Sequence, residues 1–394
     1  MNIVSLDLMK KSLRRTNPWI YQIRMIFGWF FARPRFLALL HSLQLWMTRS
    51  RYYTQLFQQY SPDAIMLTHS IALQEIFLAC FAKKQNVPII VGIHSWDTLT
   101  TKTGMAGVGS KKPRCGRTFP VRFNKILVWN EILKDQLIRF YGYSPNDISI
   151  SGIPQFDSYI RNGTRSRESF FARYHLDPSK KLILYAAGNP VVLPHQDEII
   201  SILLEAFDQR DIQMPSYLMI RNHPGHDTSS IQKMAQDRPD VLFDQPSIAY
   251  AALSNSSGWQ NGNGDTEHFA ELLFAADLVI NVWSTVSLDA AIFGKPTICI
   301  AFDGQDQKPY LESVRRFYDY THYQPLVKSG GIRLVENKTE LISAINQFLK
   351  NPRLNENERK KMILEQATFL DGQSGRRMAE QVQSFLDESR SSSS

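Results

Sequence analysis

The chain has 394 residues, 43% hydrophobic and 21% charged, a length and balance that suit two globular domains and argue against a disordered or collagen-like chain. Its three scattered cysteines, Cys80, Cys115 and Cys299, argue against a disulfide framework or a cysteine-rich zinc site and fit a reducing compartment. The net charge is +8, but residues 1–55 hold nine basic residues against the single acid Asp7, leaving 36 basic and 36 acidic residues beyond them. A general polyanion-binding surface is therefore not expected, and the question becomes what the N-terminus touches.

That basic N-terminus includes "NPWIYQIRMIFGWFFARPRF" (17–36). Arg24 and Arg33 bracket its longest apolar run, which is too short to span a bilayer, and no small-residue cleavage site follows. Basic residues mixed with Trp and Phe suit an interfacial element on anionic lipid; the plainer alternative is core helices with a solvated basic face. From residue 61 the pattern alternates. "DAIMLTH", "VPIIVGI", "NKILVWN" and "DISISGIP" read as strands, with helices at 71–86 and from Glu131 to a stop at Gly142. The polar stretch 161–169 separates a second half. In it "KKLILYAAGNP", "SYLMIRNHPGHD", "DLVINVW" and "KPTICIAFD" are strands, with helices between them and a helical C-terminal third. Strands alternating with helices predict parallel sheets covered on both faces. The expected divisions are 1–60, a basic aromatic helical segment; 61–165, an N-terminal Rossmann-like domain; 166–365, a C-terminal Rossmann-like domain; and 366–394, a helix with a frayed tail.

In open α/β sheets ligands gather outside the carboxyl ends of strands, so the chemistry is sought there. "HSWDTLTTKTG" (94–104) directly follows the strand 87–93 and offers His94, Trp96, Asp97 and Lys102. In "NVWSTVSLDAAIFGKP" (281–296), Ser284 and Thr285 stand at a strand-to-helix junction that favours an anion. Asp289, one turn further on, is placed to grip a ribose or sugar hydroxyl, or is an ordinary surface Asp on a capped helix. The glycine fingerprint of dinucleotide proteins and the Walker pattern are both absent. "MIRNHPGHD" (219–227) ends another strand with Arg221, suited to bidentate phosphate contact, and with His223, His226 and Asp227, whose spacing matches no zinc pattern. The stretch 102–125 is basic and glycine-bearing, either a loop closing over a phosphate or simply solvated. Phe119 and Phe123 are its only aromatics, which makes nucleic-acid binding the weaker reading.

Taken in order, "RNHPGHD", "ADLVINVWSTVSLDAAIFGKPTICIAFD", "THYQPLVKSGGIRLV" and "DGQSGRRMAEQV", with "SWDTLTTKTG", "LVWNEILKDQLIRFYG" and "ISGIPQFDSY" ahead of them, resemble GT-B glycosyltransferases over roughly residues 60–388. The likeness is to the bacterial superfamily of UDP-N-acetylglucosamine 2-epimerases, CDP-glycerol glycerophosphotransferases and surface-polysaccharide transferases. It implies two Rossmann-like doubly wound domains facing across a cleft, and metal-independent transfer without a cofactor from a UDP-sugar or CDP-polyol to a cell-surface glycan or lipid-linked acceptor. Localisation would be cytoplasmic, peripheral at the inner face of the cell membrane. By motif, Arg221, His223, Ser284 and Thr285 would hold the diphosphate, Asp289 the ribose, and Gly188 and Asn189 would approach the donor phosphates. Asp97 or His94 would be the general base, Asp97 being preferred because Trp96 would shield it, and Lys102 would bind an acidic acceptor group. Residues 1–60 depart from the family, with no convincing first strand beyond "MNIVSLD". The alternatives are a nucleotide-sugar 2-epimerase of the same fold and a catalytically silent GT-B-like binding protein.

Overall fold

The computed structural model describes residues 4–31, 51–102, 119, 121–161, 165–189, 193, 196–223, 229–246, 248–249, 260–261 and 264–391. The chain forms two compact units, Met1–Asp157 with Gln366–Ser394, and Ser158–Glu365. The division thus falls at 157/158 rather than at 165/166, and the C-terminal segment joins the first unit rather than standing apart.

Unit 1 holds β1 (Ile65–Leu67), β2 (Ile89–Gly92), β3 (Lys125–Val128) and β4 (Ile148–Ile150), all parallel and in that order. Val91 stands opposite both Leu67 and Ile126. The helices Leu73–Lys84 and Glu131–Tyr141 make the crossovers. The second begins at Asn130, whose side chain accepts the Leu133 N–H, and ends at Gly142 with φ 65°, a left-handed stop that glycine adopts at no steric cost. Residues 4–16 and 18–31 are helical, so the described part of "MNIVSLD", from Val4 on, is helix rather than strand. The helix Val4–Thr16 lies against the turn at 98–102, with Leu8 buried. At the other end of the chain, the helix Ser374–Ser391 is anchored by Asp157, whose carboxylate accepts the Ser374 and Gly375 N–H groups at 2.9 and 2.8 Å. An acid at a helix N-terminus satisfies orphan donors and meets the favourable end of the dipole.

Unit 2 holds β5 (Lys181–Ala186), β6 (Ser216–Arg221), β7 (Val241–Asp244), a short antiparallel pair β8 (Ile248–Ala249) and β9 (Gln260–Asn261), then β10 (Leu278–Asn281), β11 (Thr297–Ile300) and β12 (Arg333–Val335). The six long strands form a parallel sheet in the order β12-β11-β10-β5-β6-β7. The chain winds one way from β5 and the other way from β10, so the topological switch point lies between these two strands, where a doubly wound sheet places its ligand. β6, β10 and β11 are buried along their whole length, as expected of strands covered on both faces. Register brings Ala186 level with Asn281 on one side and Arg221 on the other, and Arg221 level with Asp244.

Candidate functional site

In unit 1 the carboxyl edge of the sheet opens into a cavity of about 230 Å³, lined among others by Thr68, His94, Trp129, Ser151 and Gln155. His94 leaves β2 after Ile93, whose N–H donates to the Leu127 carbonyl at 2.9 Å. The His94 ring packs on His69, with centroids 4.2 Å apart. Behind it, His69 Nδ1 lies 3.0 Å from the Thr68 hydroxyl and 3.5 Å from Glu75, and Glu75 also accepts the His69 N–H at 2.8 Å. The sequence reading missed His69 and Glu75. Their signal is the His-Ser-x₄-Glu spacing that starts a helix at the end of a neighbouring strand.

Asp97 is placed differently. Its carboxylate accepts the Ser95 hydroxyl and the Thr101 hydroxyl, the latter at 3.0 Å, while its carbonyl also accepts from Thr101. It thereby caps a π-helical turn, Thr98–Lys102. The two hydroxyl donors tie this carboxylate into the turn. Trp96 is buried at 6% exposure, which removes its ring as an acceptor platform. The backbone of Lys102 closes the π turn. Most of the basic stretch 102–125 lies outside the described residues, as do His226 and Asp227. Phe119 and Phe123 are buried, Phe119 stacking on Tyr141 at 4.8 Å; they are core, not a nucleic-acid platform.

In unit 2, Arg221 is not placed to hold a diphosphate. It is 8% exposed and clamped between two buried carboxylates, bonding to Asp244 and, at 2.9 and 3.0 Å, to both oxygens of Asp265. Its guanidinium also covers the Phe269 ring at 4.5 Å. Asp244 in turn meets His268 Nε2 at 2.7 Å. Burial pushes the Asp244 carboxyl up, but the His268 hydrogen bond and the Arg221 charge outweigh it and hold the group below the ordinary range. The "RNHPG" motif signalled an arginine at a strand end; its carboxylate partners lie 23 and 44 residues away and have no local signature.

The junction after β10 is built on a buried polar cluster. Asn281 Nδ2 donates to Ser287 Oγ at 3.1 Å, and Ser287 Oγ lies 3.1 Å from the Tyr323 hydroxyl and 3.4 Å from Cys299 Sγ. Burial pushes the Cys299 thiol up to about 11, so it serves as a neutral packing group. Trp283 sits at φ 44°, a conformation that costs a non-glycine residue about 1–3 kcal/mol. It is held by its N–H bond to the Tyr318 hydroxyl at 3.1 Å and by stacking on Phe317 at 4.4 Å. Ser284 Oγ accepts the Val286 N–H at 3.2 Å, which is the expected capping role. Thr285 makes no side-chain cap and is exposed. His223 is half-buried just beyond β6. Asp289 is no surface residue. It is 4% exposed, its Oδ1 has no hydrogen-bond partner among the described residues, and burial pushes its carboxyl up to about 7 against an opposing hydrogen bond from Tyr159. A Cβ on Gly188 would stand 2.2 Å from Leu193 Cδ1, so that glycine admits Leu193. Asn189 closes the same turn through its carbonyl, which accepts the Leu193 N–H at 2.9 Å.

The chain also matches known proteins. The teichoic acid glycerol-phosphate primase of Bacillus spizizenii is 24% identical over 209 residues, 53% of this chain and 48% of the relative. The teichoic acid poly(ribitol-phosphate) polymerase of the same organism is 20% identical over 239 residues, 58% and 34% of the two chains. The chain thus spans about half the length, or less, of these curated relatives. Among solved structures, the Staphylococcus aureus MnaA–UDP complex superposes with a TM-score of 0.58 at 15% identity, covering 89% of this chain and 82% of that one. The UDP-GlcNAc 2-epimerase of Neisseria meningitidis bound to UDP-GlcNAc gives 0.57 at 14% identity, over 88% and 82%. These likenesses establish the GT-B-type fold. The profile of the CDP-glycerol:poly(glycerophosphate) glycerophosphotransferase family matches residues 118–384, most of the chain, and the protein belongs to that family.

Proposed function

We propose that the protein transfers a polyol phosphate, glycerol phosphate in the first instance, from a CDP-activated donor to a hydroxyl of a cell-surface polymer or its lipid-linked precursor. The family match over residues 118–384 carries this reading. In the reaction, the acceptor oxygen bonds to the β-phosphorus and the bond from that phosphorus to the bridging oxygen breaks. CMP leaves with the electron pair, and the acceptor proton passes to a base. We assign that base to His94, which lines the unit 1 cavity and has a neutral form available near physiological pH. His69, packed against it and fixed by Thr68 and Glu75, orients the ring. Donor binding is assigned to the carboxyl edge of unit 2, with Thr285 and His223 toward phosphate and Asp289 toward the ribose. No resident metal is invoked, and retention of activity in EDTA checks that.

The test is release of CMP from CDP-glycerol in the presence of a glycerol-phosphate-primed lipid acceptor, with UDP-GlcNAc run in parallel. His94→Asn is expected to lower kcat by about 10²–10⁴-fold, and Asp97→Asn by much less. Equal loss in both would return the base to Asp97. Epimerised UDP-GlcNAc without acceptor, or no turnover with any acceptor, would overturn the transferase reading.

Among the described residues no helix is long and apolar enough to cross a membrane. The helix Pro18–Phe31 nevertheless exposes Trp19, Ile23 and Ile26 at 78%, 52% and 63%, a spacing that puts them on one face. The helix before it exposes Lys11, Arg14 and Arg15. Apolar anchors beside cations fit the surface of an anionic bilayer, so the proposal includes peripheral attachment at the cytoplasmic face.

A further inference from the structure

A smaller cavity lies in unit 2, at the carboxyl end of β5 beside the switch point. It is a cavity of about 50 Å³ whose wall includes Tyr185, Leu193, Gln196 and Phe302 together with the charged residues Asp303, Lys308 and Glu312. Tyr185 is fully buried and Gln196 is 1% exposed. The Tyr185 hydroxyl and both amide atoms of Gln196 have no hydrogen-bond partner among the described residues. Buried polar groups are nearly always paired, so three orphan atoms around one cavity mark a space shaped for a polar occupant. Asp303 is not a further orphan, because its two oxygens accept the Val314 and Lys308 N–H groups at 2.8 and 3.3 Å. It fixes the wall. Leu193, admitted by the missing side chain of Gly188, closes one side.

We infer that this cavity is the subsite for the uncharged, hydroxylated end of the donor's polyol. The inference rests on the donor assignment above and adds to it the group that confers polyol selectivity. A phenol and a primary amide together offer donors and an acceptor without charge, the complement of an alcohol. The apolar wall contributed by Phe302 and Leu193 takes the carbon chain. The volume admits a hydroxymethyl-sized group and excludes a nucleobase.

The experiment is calorimetric titration of the full chain with CDP-glycerol, CDP-ribitol, UDP-GlcNAc and CDP. The proteins compared are wild type, Tyr185→Phe and Gln196→Leu. Each variant is expected to bind CDP-glycerol and CDP-ribitol about tenfold more weakly, the size of one lost hydrogen bond, with CDP affinity unchanged. Tyr185→Phe removes only an orphan hydroxyl, so it should melt no lower than wild type and keeps the test valid if Gln196→Leu misfolds. Unchanged polyol-nucleotide affinity, as for a cavity holding only water, overturns the inference. So does a parallel loss for CDP, or a loss confined to UDP-GlcNAc. Wild type that binds no CDP-polyol at all refutes the donor assignment itself, and the subsite falls with it.

Discussion

The role of Arg221 can be decided by removing its charge. In Arg221→Met the buried carboxylates of Asp244 and Asp265, 4% and 5% exposed, lose the guanidinium that lies between them. Breaking a buried ion pair by deleting one partner costs about 3–5 kcal/mol. For a unit of this size about 2–4 °C is lost per kcal/mol, so the transition of unit 2 is expected to fall by roughly 6–20 °C, read by calorimetry at pH 7. The pH dependence should reverse. In wild type the Asp244 carboxyl is held below its ordinary range, so its contribution is present above the unfolded carboxylate pKa and is lost as pH falls through the lower folded value. In Arg221→Met burial at Asp244 is opposed only by the His268 contact, so the penalty is greatest at neutral pH and shrinks as acid neutralises the pair. Adding Asp244→Asn and Asp265→Asn to Arg221→Met should restore much of the loss, since neutral groups do not carry the cost of buried charge. The reasoning fails if Arg221→Met melts within a degree of wild type and loses only affinity for CDP-glycerol, because that is the behaviour of a diphosphate ligand.

Asp289→Asn should stabilise the protein at pH 8. Its carboxyl titrates near 7 when folded and near 4 when unfolded, so wild type loses up to about 4 kcal/mol as pH rises through that interval. Thermal melts of the two proteins should converge near pH 4 and separate above pH 7, while the variant binds CDP-glycerol more weakly. Replacing Trp19, Ile23 and Ile26 together with serine should abolish cosedimentation with phosphatidylglycerol vesicles and leave CMP release to a soluble acceptor intact. Binding by wild type should weaken as salt rises, since the basic part of the attraction is screened. His69→Ala, which leaves His94 in place, should shift the pH profile of kcat and alter KM little if His69 orients the base.

The sequence by itself determined the class of the fold. Alternation of apolar strands such as 181–186 and 278–281 with amphipathic helices dictates a parallel sheet, and the capping residues Asn130 and Gly142 mark helix ends at single-residue level, because these are local effects. It also pointed to strand ends at 94–102, 221–223 and 284–289 as the places to look for chemistry. Only the tertiary structure decided what each group at those edges touches. Arg221 reads as a phosphate ligand until Asp244 and Asp265 are brought across from distant segments. Asp289 reads as a surface carboxylate until its helix is buried. Gly188 reads as a phosphate approach until Leu193 leans over it, and His69 is silent until it packs against His94. The reason is the range of the interactions. Backbone propensity and periodicity act over a turn or two of chain, whereas charge pairing, desolvation and cavity shape depend on neighbours that sequence separation conceals.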